Sequence, residues 1–325
     1  MAEPAARESL LYETLPGSKV QCNTCPWRCR LEPNRLGVCR MRINQEGKLY
    51  VLNYGLVSSA HADPIEKKPL YHFFPGTTVF SLGTWGCNFH CLHCQNWEIA
   101  CCEPWAGKRD APYLAPEDAI ELTLRQHCQG IAWTYNEPTI WFEYTYDCAR
   151  LAKAKGLYTV YVTNGYITAE ALNLIGPYLD AFRVDIKGFS DDLYRRLAKI
   201  TRWREVLSRT IQAKEKWRMH VEVVTNIIPT FNDDEEQLSA LASWIRENLG
   251  ELTPWHITRF FPSYQLRDLP PTPVSSLERA WEIGKQAGLA FVYVGNLPGN
   301  ERENTTCYAC GQLLIQRLGY RTDIR

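Results

Sequence analysis

Cys87, Cys91 and Cys94 fall within the segment GCNFHCLHCQNW, with three and then two residues between successive thiols, directly after the apolar run Val79-Phe80-Ser81-Leu82. Thiolates from one short loop can reach three corners of an iron-sulfur cube, whereas a closed 4Fe-4S site needs a fourth cysteine at a further spacing. An iron without a protein ligand is open to chemistry. Isolated cysteines such as Cys128 and Cys148, each within a helical pattern, read as small buried hydrophobes. Three so close together, interleaved with Asn88, His90 and His93, do not. Structural zinc normally wants two paired knuckles in tetrahedral arrangement, which this spacing does not supply. The competing reading is a closed cluster with Cys101 or Cys102 as fourth ligand.

A loop of this kind needs a rigid wall behind it. From about residue 78, short β-branched runs alternate with amphipathic stretches of helical length, the pattern of repeated βα units on a parallel sheet. Strands are expected at 78–82, 131–135, 158–163, 181–186, 220–228, 255–260 and 291–294. Helices are expected at 116–128, 139–155, 168–175, 191–199, 202–217, 233–248 and 275–287. The resulting class is α/β, a partial (β/α)6-type TIM-like barrel over residues 78–295. A cysteine-rich N-terminal region precedes it at 1–77, with short strands around 48–57, and a C-terminal extension with a CxxC knuckle follows at 296–325. Barrels place their chemistry at the C-terminal ends of the strands. There the chain carries the cysteine loop, Asn136-Glu137-Pro138, Thr163-Asn164-Gly165, Asp185 with Lys187, Thr225-Asn226, His256 with Arg259, and Asn296.

Composition narrows the classes. The 325 residues are 45% apolar and 12% aromatic, enough for a substantial core. Thirty-six basic and thirty-six acidic side chains cancel, so nothing electrostatic argues for nucleic acid or an anionic membrane. No apolar run approaches a membrane span and the start MAEPAARESLLYE lacks the marks of a signal peptide, so a cytoplasmic location is expected. Thirteen cysteines in a reducing compartment point to metal or cluster ligation rather than disulfides. Cys22, Cys25, Cys29 and Cys39 could close one zinc or iron-sulfur site, or Cys22 and Cys25 could join Cys307 and Cys310 across the barrel. Sequence leaves both arrangements, and both metals, open, because ligands are matched in space.

Several strings carry a resemblance: DPIEKKPLYHFFPG at 63–76, SLGTWGCNFHCLHCQNWEIA at 81–100, WTYNEPTIWFEY at 133–144, VTNGY at 162–166, VDIKGF at 184–189, PWHITRFFPSY at 254–264, VYVGNLPG at 292–299 and the late CYACG. Together they resemble the radical S-adenosylmethionine enzyme of the AmmeMemoRadiSam system, a group similar to pyruvate formate-lyase activating enzymes, over nearly the whole chain. The resemblance implies a 4Fe-4S cluster on Cys87, Cys91 and Cys94, with S-adenosylmethionine filling the open iron. It puts His93 at a usually aromatic position near adenine. Tyr135-Asn136-Glu137-Pro138 stands where relatives place a Gly-Gly-Glu turn for the cosubstrate's ammonium group, so Asn136 and Glu137 are candidate acceptors; Glu137 also reads as a helix N-terminal charge. Thr163 and Asn164 are candidates for the ribose or carboxylate. Asp185 reads as a cosubstrate contact or as an ion pair with Lys187. Trp85, Phe89 and Trp97 read as a solvent shield or as ordinary core.

Three function classes follow. The first is a radical enzyme that cleaves S-adenosylmethionine reductively and takes hydrogen from an unidentified substrate with the 5'-deoxyadenosyl radical. It would need a reductant such as flavodoxin or ferredoxin, and the resemblance implies Memo-like and AMMECR-like partners. The second is a glycyl-radical activase acting on a partner protein. The third is a non-catalytic iron-sulfur electron-transfer protein.

Overall fold

The computed structural model describes residues 7–101 and 112–325; Cys102, an expected closing ligand, lies outside them. An eight-stranded sheet dominates. Its first strand, β1 (Ser59–Pro64), runs antiparallel to β2 (Thr78–Gly83). Six more parallel strands follow: β3 (Gly130–Trp133), β4 (Tyr158–Thr163), β5 (Ala181–Asp185), β6 (His220–Ile227), β7 (Trp255–Arg259) and β8 (Val292–Gly295). Each pairs with its predecessor in sequence, so the sheet winds in one direction, as in a barrel, and ends at β1 and β8. All seven expected strands are present.

Helices cover the outer face: α1 (Pro116–Arg125), α2 (Phe142–Ala154), α3 (Ala169–Ile175), α4 (Arg204–Glu215), α5 (Glu235–Leu249) and α6 (Val274–Gln286). Their starts follow local chemistry: Pro116 at the first turn of α1, and the Thr168 and Asp234 side chains accepting the first amides of α3 and α5. Along each strand, side chains alternate between faces. Phe80, Leu82, Trp133, Phe182, Val184, Val221, Val223 and Trp255 join the helix-side core. The other face carries a polar set that includes Arg183, Asp185, Glu222 and His256.

The N-terminal end of the sheet is plugged by the chain between β1 and β2. The Tyr71 and His72 amides donate to Glu222 at 3.1 and 2.8 Å, and Arg183 Nε donates to the Lys68 carbonyl at 2.9 Å. His256 joins the plug, its Nε2 lying 2.6 Å from Glu222 Oε2. The expectation that His256 contributes to the strand-end site is therefore corrected: as the second residue of β7 it serves the opposite end. Arg317 of the C-terminal hairpin (Leu313–Leu318 against Arg321–Ile324) closes the plug by donating to the Tyr71 carbonyl at 2.8 Å.

Ahead of the barrel lie two three-stranded antiparallel sheets, one built on Tyr12–Leu15, Lys19–Cys22 and Arg30–Leu31, the other on Arg7–Glu8, Arg42–Gln45 and Lys48–Val51. Arg42 fastens them to the first turn of α2, its guanidinium donating to both Glu143 oxygens at 3.0 and 2.8 Å with both side chains almost fully buried. No described helix is long and apolar enough to cross a membrane.

Candidate cluster and cosubstrate site

The loop after β2 is braced on all sides, which is how so irregular a segment holds three thiols in place. The His90 and Leu92 amides donate to the Ala198 and Leu197 carbonyls, at 3.1 and 3.0 Å, on the single helical turn after β5. Ser263 Oγ donates to the Cys94 carbonyl at 3.0 Å, and Gln265 N to the Leu92 carbonyl at 3.0 Å. Gly86 precedes the first ligand with φ +87°, and a Cβ there would sit 2.6 Å from Met41 Cγ and 2.9 Å from the Cys39 carbonyl oxygen. Only glycine allows this approach.

Cys87, Cys91 and Cys94 lie partly buried within electrostatic reach of one another. Burial pushes the Cys91 thiol up to about 12 and the Cys94 thiol up to about 11, with Lys187 pulling both back. The Phe89 amide donates to Cys87 Sγ at 3.4 Å and Asn164 Nδ2 approaches it at 3.9 Å. Lys187, its charge set against burial by Asp185 and Cys91, provides the cation beside the trio. Asp185 is an ion-pair partner, 3.0 Å from Arg183 Nη1 and 3.6 Å from Lys187 Nζ, and the pair stands at the same mouth as the cysteines, so the two readings of Asp185 meet in one place. His93 is buried against them; burial and then Lys187 hold its imidazole down at about 3, so it is neutral, and its Nδ1 has no hydrogen-bond partner in the protein.

The loops after β3 and β4 are knitted together. Glu137 Oε1 accepts from Thr139 N at 2.9 Å, Thr139 Oγ1 at 2.6 Å and Thr163 Oγ1 at 2.7 Å, while Oε2 accepts from Asn164 N at 2.7 Å. Burial raises its carboxyl against the pull of these bonds. Asn164 Nδ2 donates to Asn88 Oδ1 at 2.8 Å, and Asn136 Nδ2 to the Gly86 carbonyl at 2.7 Å. Every expected residue of these loops is thus at the mouth, but Glu137 caps the short helix Pro138–Trp141 and positions Asn164 with the same carboxylate. Asn88 and Tyr135 stood in the sequence motifs without a role of their own. Tyr135 occupies φ +71°, a glycine-like turn, and is anchored by its hydroxyl donating to Asp63 Oδ2 at 2.8 Å. Of the aromatics, Phe89 is core beside Tyr166, whereas Trp97 stacks on Tyr264 at the surface.

Cys22, Cys25, Cys29 and Cys39 line one cavity. Cys307 and Cys310 do not line that cavity; Cys310 is exposed, and the backbone of Cys310 and Ala309 lowers the Cys307 thiol.

The donor set fits an iron-sulfur group in the trio, with three thiols on one loop, amides directed at sulfur, a compensating lysine and a buried nitrogen left over for a bound molecule. Fold and site together define a partial α/β barrel built around such a loop. The family model of the radical SAM superfamily matches residues 82–244, and the chain belongs to that superfamily, which implies a 4Fe-4S cluster and S-adenosylmethionine. It is 43% identical to an uncharacterized protein of Methanocaldococcus jannaschii over 98% of this chain and 93% of that one. To the pyruvate formate-lyase-activating enzyme of Clostridium pasteurianum it is 25% identical over 57% of this chain and 80% of the other. Among solved structures, Streptococcus suis SuiB bound to S-adenosylmethionine shares the fold, with TM-score 0.51 at 13% identity over 67% of this chain and 52% of that one.

Proposed function

We propose that this chain is the radical enzyme of an AmmeMemoRadiSam-type system, cleaving S-adenosylmethionine reductively at a cluster on Cys87, Cys91 and Cys94 so that the 5'-deoxyadenosyl radical takes hydrogen from a substrate at the barrel mouth. The observation that carries the reading is the convergence, at one end of the sheet, of the three-thiol loop with the loops after β3, β4 and β5. Each contributes a distinct task. The Phe89 amide and Asn164 amide group hydrogen-bond the Cys87 sulfur and would tune it, and Lys187 balances the charge of Cys91 and Cys94. His93 offers an unpartnered ring nitrogen to a bound nucleoside. Thr163, Asn164, Asn136 and Asp185 ring the space for the rest of the cosubstrate, and Glu137 positions this ring from behind. A flavodoxin- or ferredoxin-class protein would supply the electron, and Memo-like and AMMECR-like proteins are the proposed partners.

The test is an electron paramagnetic resonance spectrum of the anaerobically reconstituted, reduced protein with and without S-adenosylmethionine, paired with an assay for 5'-deoxyadenosine. A cosubstrate-dependent shift with product is expected; an intact cluster with neither sinks the reading. A glycyl-radical activase is a variant of the same chemistry, favoured by the activating-enzyme relatives and separated by looking for a glycyl radical in a co-purified partner. The closed-cluster reading has one observation in its favour, that Cys101 lies within electrostatic reach of Cys91 and Cys94. Replacing Cys101 and Cys102 together leaves the cluster in place if the iron is open and removes it if they close the set.

A further inference from the structure

Cys22 ends a strand, Cys25 and Cys29 lie in the connection that follows and Cys39 in a later turn, yet their side chains line one cavity together with Thr24, Trp27 and Gly37. Each thiol lies within electrostatic reach of the other three. Three backbone amides are directed at their sulfurs, Trp27 N to Cys25, Val38 N to Cys29 and Met41 N to Cys39. Amides aimed at sulfur suit thiolates bound to metal and not packed thiols. Gly37 borders the sulfurs; a Cβ there would rest in ordinary contact with Cys29 Sγ at 3.7 Å.

The setting of the quartet speaks to which metal. The Cys87, Cys91 and Cys94 trio, whose superfamily uses a four-iron cube, has an amide directed at sulfur and a cation beside it, and the quartet repeats that arrangement. Arg42, buried beside Cys22 and Cys39 and held by Glu143, supplies positive charge for an anionic cluster.

The quartet also shares a wall with the trio. Trp27 Nε1 donates to the Asn88 carbonyl at 2.8 Å, and the Cys39 carbonyl packs against Gly86, the residue before Cys87. Thr168, at the start of α3, donates from its hydroxyl to the Asn23 carbonyl at 2.7 Å and from its amide to the Thr24 carbonyl at 3.1 Å, fixing the first knuckle to the mouth of the barrel.

We propose that Cys22, Cys25, Cys29 and Cys39 ligate a second 4Fe-4S cluster, closed by four protein thiolates and seated beside the open one. It takes iron and sulfide, not zinc, and it does not bind S-adenosylmethionine because all four corners are occupied.

The proposal is tested on the full chain, purified anaerobically and reconstituted with ferrous iron and sulfide, by metal analysis and electron paramagnetic resonance. About eight irons per chain are expected in the wild type, four per cube. The triple variant Cys87→Ala, Cys91→Ala, Cys94→Ala is expected to keep about four irons, with a reduced spectrum that S-adenosylmethionine does not shift. The reciprocal variant Cys22→Ala, Cys25→Ala, Cys39→Ala is expected to keep about four irons whose spectrum the cosubstrate shifts. A trio variant that holds no iron, or that holds one zinc at the quartet, overturns the proposal. Should the quartet variant fail to fold, the trio variant decides alone. Its iron content is independent of whether the wild-type cluster responds to S-adenosylmethionine, so failure here and failure of the radical reading are distinguishable.

Discussion

Glu137 shows how a residue chosen for one chemistry can serve another. Its position after the second barrel strand made it a candidate for the cosubstrate's ammonium group, but its oxygens accept four hydrogen bonds from Thr139, Thr163 and Asn164. Glu137→Gln presents an NH2 group to at least one of these donors, freeing Asn164 to move away from Asn88 and Cys87. We expect 5'-deoxyadenosine formation to fall roughly 10- to 100-fold, the range for residues that orient ligands from behind, while iron content is retained. Loss of the iron as well would make Glu137 a structural residue. Tyr135 belongs to the same scale. A non-glycine residue at φ +71° carries strain of about 1–3 kcal/mol, offset by the Asp63 anchor. Tyr135→Phe removes the anchor and keeps the strain, and is expected to lower stability by about 1–3 kcal/mol in denaturant titrations. An unchanged midpoint would show that the hydroxyl contributes nothing.

At the scale of elements, the cysteine loop depends on what packs beneath it. The N-terminal sheets reach it through Met41 and Cys39, which press on Gly86, and reach α2 through the Arg42–Glu143 pair. Gly86→Ala would drive a Cβ into the Cys39 carbonyl, and either the loop or the N-terminal knuckle must shift. We expect this variant to lose the cosubstrate-dependent spectral change; retention of the full signal would show that the contact is slack. Arg42→Met leaves Glu143 buried without its cation, a change that costs on the order of 3–5 kcal/mol. Ser9 Oγ and Leu10 N still donate to Glu143, which places the expectation toward the lower end. These couplings join residues that are distant in the chain, and no local pattern announces them. By contrast, the strands of the barrel were legible, because β-branched runs at regular intervals between amphipathic helices admit few other arrangements. Strand β1 was missed for an equally local reason: SAHADP has no apolar alternation, since an edge strand covers little core.

For the whole molecule, the two ends of the sheet divide the labour. One end holds the cysteine loops; the other is a plug in which Glu222 accepts from the Tyr71 and His72 amides and pairs with His220 and His256. Burial opposes ionisation of Glu222, but the hydrogen bonds and charge of the two histidines win and hold its carboxyl well below the ordinary 4.5. A carboxylate depressed in this way stabilises the fold fully above its unfolded value, and that stability is lost as the pH falls below 4.5 toward the folded value. His256, whose own titration is lowered by burial in company with Arg183 and Arg317, works in the same direction by resisting protonation. Denaturant midpoints are therefore expected to fall on acidification, and Glu222→Gln should flatten that slope while lowering stability at neutral pH. A parallel acid slope in the variant would place the effect elsewhere.

Spacing within a single loop was enough to single out Cys87, Cys91 and Cys94 as one group, because three thiols on one short segment stay together whatever the rest of the chain does. Hydrophobic period was enough to mark seven strands and their helices, because each βα unit repeats the same burial. Neither reaches across the chain. Whether Cys22 and Cys25 meet Cys29 and Cys39 or the distant Cys307 and Cys310, whether His256 faces the mouth or the plug, and whether Glu137 is free or engaged all depend on which turns the sheet brings together. Those outcomes were decided by tertiary packing, where contacts between remote residues leave no signature in the order of the amino acids.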